Sequence, residues 1–195
     1  MRRTRGFTLV EVLVAIGILA VVALLAWRAT AAMTDSEVRL VAEQSRWRQL
    51  DALLLRVEAD LRAAVPRPAR DGASTAPPWL LAPEDSAGNS LLVFTRAGGD
   101  AVDEPGSGGR RIGYRVRGDR VETLYWPRID NPAATVPAVY VLANAVRRLA
   151  ITALTADNRW SDRWPLSGDA STPRGVRLVL ELADGTSVER WFVLQ

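Results

Sequence analysis

Gly6 and Phe7 form the junction at which this chain's reactive chemistry is concentrated. Met1-Arg2-Arg3-Thr4-Arg5 precedes it, Phe7-Thr8-Leu9-Val10-Glu11 opens the other side, and no charge appears from Val12 to Trp27. A secretory signal peptide loses its apolar stretch, because the cut follows it at a small-x-small site. Hydrolysis after Gly6 does the opposite: it removes the basic leader and keeps the apolar segment, with Phe7 as the new terminus. The product carries a free amine at Phe7, one helical turn from the Glu11 carboxylate. A lone carboxylate costs ~2.5–3.5 kcal/mol at mid-membrane on insertion scales, and less near an end, so Glu11 needs compensation. The positive end of the helix dipole supplies part of it. The Phe7 amine supplies more, by pairing within one chain or, better, between adjacent chains. The plain alternative is that Glu11 snorkels to the headgroups. Gly17 stands alone, without a small-x-x-x-small partner that would mark a dimer seam.

Elsewhere the reactive residue types are sparse. The 195-residue chain has no His and no Cys, which removes the commonest general base, the thiol nucleophile and the usual transition-metal ligands. Ser161-Asp162 and Ser171-Thr172 lie in turn-rich segments, where such residues serve the backbone. Asp100, Asp103 and Glu104 are oxygen donors of the kind Ca²⁺ takes, but they lack the loop grammar of a calcium site, and a solvated acidic loop is the stronger reading. Trp160 and Trp164 suit either an interface anchor or core packing. The expectation is a protein that is not an enzyme, with no metal and no cofactor. Its cations are all Arg: three of 25 fall in the leader, and the remaining 22 balance 22 Asp and Glu. Overall balance leaves nucleic-acid binding unsupported.

These groups have to be positioned by a few elements. Residues 7–27 approach the ~20 that cross a bilayer core as a helix, and Arg2, Arg3 and Arg5 place its start on the cytoplasmic side. The predicted division is a leader over 1–6, a transmembrane and assembly helix over 7–27, an amphipathic helix over 28–65 and a β-rich globular part over 66–195. Within the third segment Val38, Val41, Leu50, Leu53, Leu54, Val57, Leu61 and Val65 recur at helical spacing. Pro66 and Pro68 stop that helix, and Thr34, Asp35 and Ser36 mark a place where it could soften. Strands are predicted at Leu91–Thr95, Ile112–Arg117, Arg120–Trp126, Val139–Leu142, Val146–Thr155, Val176–Leu182 and Ser187–Leu194. Gly118-Asp119 and Asp184-Gly185 supply hairpin turns, and Ala97–Gly109 reads as a mobile loop. The fold class is α+β: a long N-terminal membrane-spanning helix continuing into a soluble domain with an antiparallel β-sheet.

The series from Gly6 to Glu11 resembles the class III signal of type IV pilins and pseudopilins at every position. That resemblance implies cleavage by prepilin peptidase between Gly6 and Phe7, N-methylation of Phe7 and a registry role for Glu11 in helix assembly. Further along, Arg48-Gln49-Leu50 to Glu58-Ala59-Asp60-Leu61-Arg62, then Pro66-Arg67 and Arg70-Asp71-Gly72, is similar to the minor pseudopilin J of type II secretion systems, the GspJ family. Leu92 to Gly98, Tyr125-Trp126-Pro127-Arg128-Ile129-Asp130, Trp160, Trp164-Pro165 and Arg190-Trp191-Phe192 continue that pattern in order. The segment Gly99 to Arg111 departs from it, lacking the family's aromatic and Asn-Pro element. The resemblance implies a pseudopilus tip complex that primes filament assembly and supports protein export across the outer membrane. Its implied partners are minor pseudopilins of classes I, K and H, the major pseudopilin and prepilin peptidase. Its implied place is the inner membrane, single-pass, with the soluble domain in the periplasm. The competing readings are a type IV pilus minor pilin in adhesion or DNA uptake, and an envelope binding module held by an uncleaved helix.

Overall fold

Helix α1 (Leu9–Arg62) opens the chain and 54 residues pass before it ends. The computed structural model describes residues 8–98, 108–166 and 172–194. Contacts divide the chain into two units, Met1–Arg48 and Gln49–Gln195. In the first, the described residues from Leu9 onward are all helical. Ser and Thr hydroxyls compete with helical backbone bonds when they find other partners, but here they join the ladder. Thr30 Oγ1 donates to Ala26 O at 3.0 Å, Thr34 Oγ1 to Thr30 O at 3.1 Å and Ser36 Oγ to Ala32 O at 2.9 Å. The helix therefore passes through residues 34–36 without interruption.

In the second unit α1 acquires a single inward face. Leu50, Leu53, Leu54, Val57 and Leu61 are all buried, at the three- and four-residue spacing of one helical stripe. Val41, counted in the predicted stripe, is 61% exposed, so the inward stripe is shorter than the pattern suggested. The helix also ends at Arg62, before either proline. Its stop is a change of partner: Ala97 N donates to Ala63 O at 2.8 Å and Val65 N to Thr95 O at 2.9 Å. The backbone leaves the helical ladder because a strand end offers it another.

Eleven strands follow among the described residues. β1 (Ala69–Asp71) and β2 (Ser74–Ala76) form a small ribbon. β3 (Trp79–Pro83), β4 (Ser90–Arg96), β5 (Arg110–Arg117), β6 (Arg120–Tyr125) and β7 (Ala138–Ala143) form a five-stranded antiparallel meander. β8 (Val146–Leu154), β9 (Trp160–Ser161), β10 (Gly175–Leu182) and β11 (Ser187–Val193) make a four-stranded sheet in the order β11-β10-β8-β9. Both predicted hairpins are present, with Gly118 at φ 65° and Gly185 at φ 88°, in the left-handed region that glycine enters without a Cβ penalty. The predicted loop over Ala97–Gly109 lies largely outside the described residues.

The single sheet expected from the strand pattern is two sheets sharing one core. Asn144-Ala145 is short enough for a hairpin, yet β7 and β8 belong to different sheets. Two buried side chains at the start of β4 bind the sheets together. Asn89 Oδ1 accepts from Leu149 N at 2.9 Å, and Ser90 Oγ accepts from Ile151 N at 3.0 Å. These satisfy amides on β8 that would otherwise be orphaned in the core. Leu149, Ile151 and Ala153 of β8 and Val176, Leu178, Leu180 and Leu182 of β10 then pack with the α1 stripe and with Trp79, Phe94 and Tyr114.

Full burial of a Leu side chain contributes about 1.5–3 kcal/mol, and truncation adds a cavity term. Leu53→Ala is expected to destabilise the detergent-solubilised chain by about 2–5 kcal/mol in urea unfolding followed by tryptophan fluorescence. Leu55→Ala, at a helix position 65% exposed, should change it by no more than about 0.5 kcal/mol.

Candidate functional site

The start of α1 is built by a reciprocal pair of side-chain bonds. Thr8 Oγ1 accepts from Glu11 N at 3.3 Å, while Glu11 Oε2 accepts from Thr8 N at 3.1 Å and from Thr8 Oγ1 at 3.2 Å. This is a capping box: a hydroxyl at the N-cap and a carboxylate three residues on satisfy donors that a helix start leaves free. Glu11 thus has a job within its own chain. Gly6 and Phe7, the predicted cleavage and methylation positions, lie outside the described residues.

From the cap to Trp27 the helix has no polar side. Leu9, Val12, Leu13, Ile16, Leu19, Val22, Leu25 and Trp27 are exposed at positions all around it. A helix apolar on every side belongs in lipid or inside a bundle, not in water. By length and composition this segment can cross a membrane, and it fits a membrane anchor. A Cβ at Gly17 would meet nothing within 4 Å, so that residue makes no close packing within this chain.

The globular unit contains an ionic cluster that the sequence pattern did not single out. Asp60 is fully buried; its Oδ2 accepts from Arg56 Nε at 3.0 Å, and the carboxylate also accepts from Arg96 and from the Tyr114 hydroxyl. Arg56 in turn donates to the Tyr125 hydroxyl. The Arg56 and Arg110 guanidinium groups lie 5.7 and 5.5 Å from the Tyr125 ring centroid, and Tyr140 meets that ring edge-on at 5.5 Å. One helical carboxylate thereby engages β4 and β5 directly and β6 through Arg56. The available signal was its place: Asp60 follows Val57 by three residues and precedes Leu61, on the apolar stripe, and Arg56 stands four residues before it. Burial, and secondly the Asp60 charge, push the Tyr114 phenol well above its ordinary range, which keeps it a neutral donor.

Other sequence candidates have structural roles. Ser161 Oγ donates to Arg163 O at 2.9 Å and accepts from Arg163 N at 3.2 Å, a turn contact. Trp164 is buried in the core, where its backbone exchanges hydrogen bonds with Leu81. Trp160 is half-buried, meets Trp191 edge-on at 5.4 Å and carries the Arg177 guanidinium over its ring. Asp100, Asp103, Glu104 and Ser171 lie outside the described residues. Among the described residues no group of three or more carboxylates is placed to hold a metal.

Removing one partner of a buried ion cluster costs about 3–5 kcal/mol, because the other charges remain in the core. Asp60→Ala is expected to lose that much in urea unfolding. Tyr114 adds a pH signature. Below about pH 10 the phenol is protonated in both states and its contribution is complete; above that the unfolded chain ionises first, and stability falls by up to about 1.4 kcal/mol per pH unit. Urea midpoints measured from pH 8 to pH 11 should show this decline, and Tyr114→Phe should remove its share.

Comparison with known proteins accounts for both units. Residues 1–27 match the prokaryotic N-terminal methylation motif, and residues 28–194 match the sequence profile of type II secretion system protein J. The chain is similar to type II secretion system protein J of Klebsiella pneumoniae, 28% identical over 198 residues that cover 100% of this chain and 96% of the relative. It is 29% identical to the protein of that description from Escherichia coli, over 100% of this chain and 98% of the relative. In structure it resembles a chain of the GspK-GspI-GspJ complex from the enterotoxigenic E. coli type 2 secretion system. There the TM-score is 0.64 at 23% identity, covering 77% of this chain and 97% of that one. With its long apolar helix, its antiparallel sheets and a profile match over most of its length, this chain belongs to the type II secretion system protein J family.

Proposed function

We propose that this protein is a minor pseudopilin of the pseudopilus tip complex, which primes filament assembly and supports export of proteins across the outer membrane. The observation that carries this reading is the all-round apolar helix headed by the Thr8–Glu11 box and joined to a folded domain. Exposed to water, such a surface costs roughly 25 cal/mol per Å² of apolar area, so the helix exchanges lipid only for a bundle of like helices. Membrane retention and filament assembly are two ways of shielding one surface. The protein acts by association and not as an enzyme.

In this reading prepilin peptidase cuts between Gly6 and Phe7, the Phe7 amine is methylated, and the soluble domain lies in the periplasm. Glu11 caps Thr8 within the chain and presents its charge to the terminal amine of a neighbour as the helix leaves lipid. The partners are pseudopilins of classes I, K and H, with the major pseudopilin joining later. A GspK-GspI-GspJ complex is known for a protein of similar fold, which supports the first two. Membership of the J family favours secretion over type IV pilus biogenesis.

Mass spectrometry of the protein from its native membrane is expected to give a methylated Phe7 terminus. An intact Met1 would instead favour the anchored binding module. Glu11→Leu at native expression is expected to insert normally, while secretion and recovery of the tip complex fall by about tenfold, the effect of ~1.4 kcal/mol lost per contact. Unchanged secretion would remove the registry role of Glu11.

A further inference from the structure

A groove of 860 Å³ opens in the globular unit between the last turns of α1 and strand β11. β11 ends its sheet and so, among the described residues, has one edge without a neighbouring strand. Leu194 N donates to Arg174 O at 3.0 Å, which fixes the phase of the β10–β11 ladder. Antiparallel pairing alternates, so the N–H and C=O groups of Glu189, Trp191 and Val193 point to the open edge. Trp191, 63% exposed, Val193, 85% exposed, and Leu55, 65% exposed, are among the residues that line the groove. Trp79 also lines the groove; it is 1% exposed, and its indole N–H has no hydrogen-bond partner among the described residues. A buried donor without an acceptor costs about 1–3 kcal/mol.

We propose that this groove receives an extended, mainly apolar segment of a neighbouring pseudopilin, which adds as a strand to the open edge of β11. A peptide's N–H and C=O groups satisfy the ladder edge, and a peptide carbonyl also accepts from the Trp79 indole N–H, which hydrocarbon cannot do. The charged lining is balanced, Asp51 and Glu58 against Arg62 and Arg190, with Glu58 and Arg62 already paired at 2.6 Å. That balance selects an uncharged segment over a polyanion or a lipid headgroup. An unprotected edge strand is also a liability that an assembled partner removes. This inference rests on the tip-complex reading and assigns it a docking surface.

The test uses the full chain co-expressed in membranes with class I and class K pseudopilins. Val193→Pro and Glu189→Pro each delete an N–H that points to the open edge and leave the bonds to β10 in place. Both are expected to lower partner recovery after detergent extraction by more than tenfold with an unchanged urea midpoint. Because the chain has no cysteine, Val193→Cys with a thiol-reactive photocrosslinker provides a second readout that keeps the native edge. It should yield an adduct mapping to an extended apolar segment of a pseudopilin, whereas Val136→Cys, 82% exposed and outside the groove, should not. Normal partner recovery by the folded proline variants, or a Val193→Cys adduct only to an exported protein, overturns the proposal. Failure of the unmodified chain to recover either partner overturns the tip-complex reading and this assignment with it.

Discussion

One helix has to satisfy two solvents, and the remaining structure follows from that constraint. Up to Trp27 its surface is apolar on every side and suited to lipid or to other helices; from Leu50 to Leu61 only one stripe is apolar, and that stripe is buried. An uninterrupted hydrogen-bond ladder allows both in one element, because the backbone is satisfied internally whatever lies outside. The Thr8–Glu11 box extends that economy to the helix start, where free donors would otherwise face hydrocarbon. Within the chain, Glu11 is retained in an apolar segment as part of the cap on Thr8.

At its other end the helix is held by specific geometry as well as by apolar contact. Five apolar side chains supply non-directional burial, which tolerates sliding and rotation. Asp60 adds direction, because its carboxylate must meet Arg56, Arg96 and the Tyr114 hydroxyl together. Such a cluster is weak evidence of net stability, since burying charge carries a large desolvation cost. Its value here is orientation: it fixes one rotation of the last helical turns on β4, β5 and β6.

The two sheets divide the remaining work. The five-stranded meander carries the ring stack of Trp79, Phe94 and Tyr114 and the Asp60 contacts. The four-stranded sheet leaves β11 open beside α1. Asn89 and Ser90 join them with polar bonds inside an apolar core, at positions where a mismatch would leave β8 amides unpaired. The globular unit thus combines a closed, over-determined interior with an edge, on β11, that meets no further strand among the described residues.

What the sequence determined by itself was everything governed by local period and local charge. The apolar span, the alternating Val176, Leu178, Leu180 and Leu182, and the Gly118 and Gly185 turns were all legible, because each depends on residues within a few positions. The tertiary structure decided what depended on partners far along the chain. Where α1 ends at Arg62, ahead of Pro66, it paired Ala63 and Val65 with Ala97 and Thr95. It separated β7 from β8 across Asn144-Ala145, made strands of Ala69–Asp71, Ser74–Ala76, Trp79–Pro83 and Trp160–Ser161, and buried Asp60 against residues 36 and 54 positions away. The physical reason is common to these cases: periodicity records which face of an element is apolar, but not which other element will cover it.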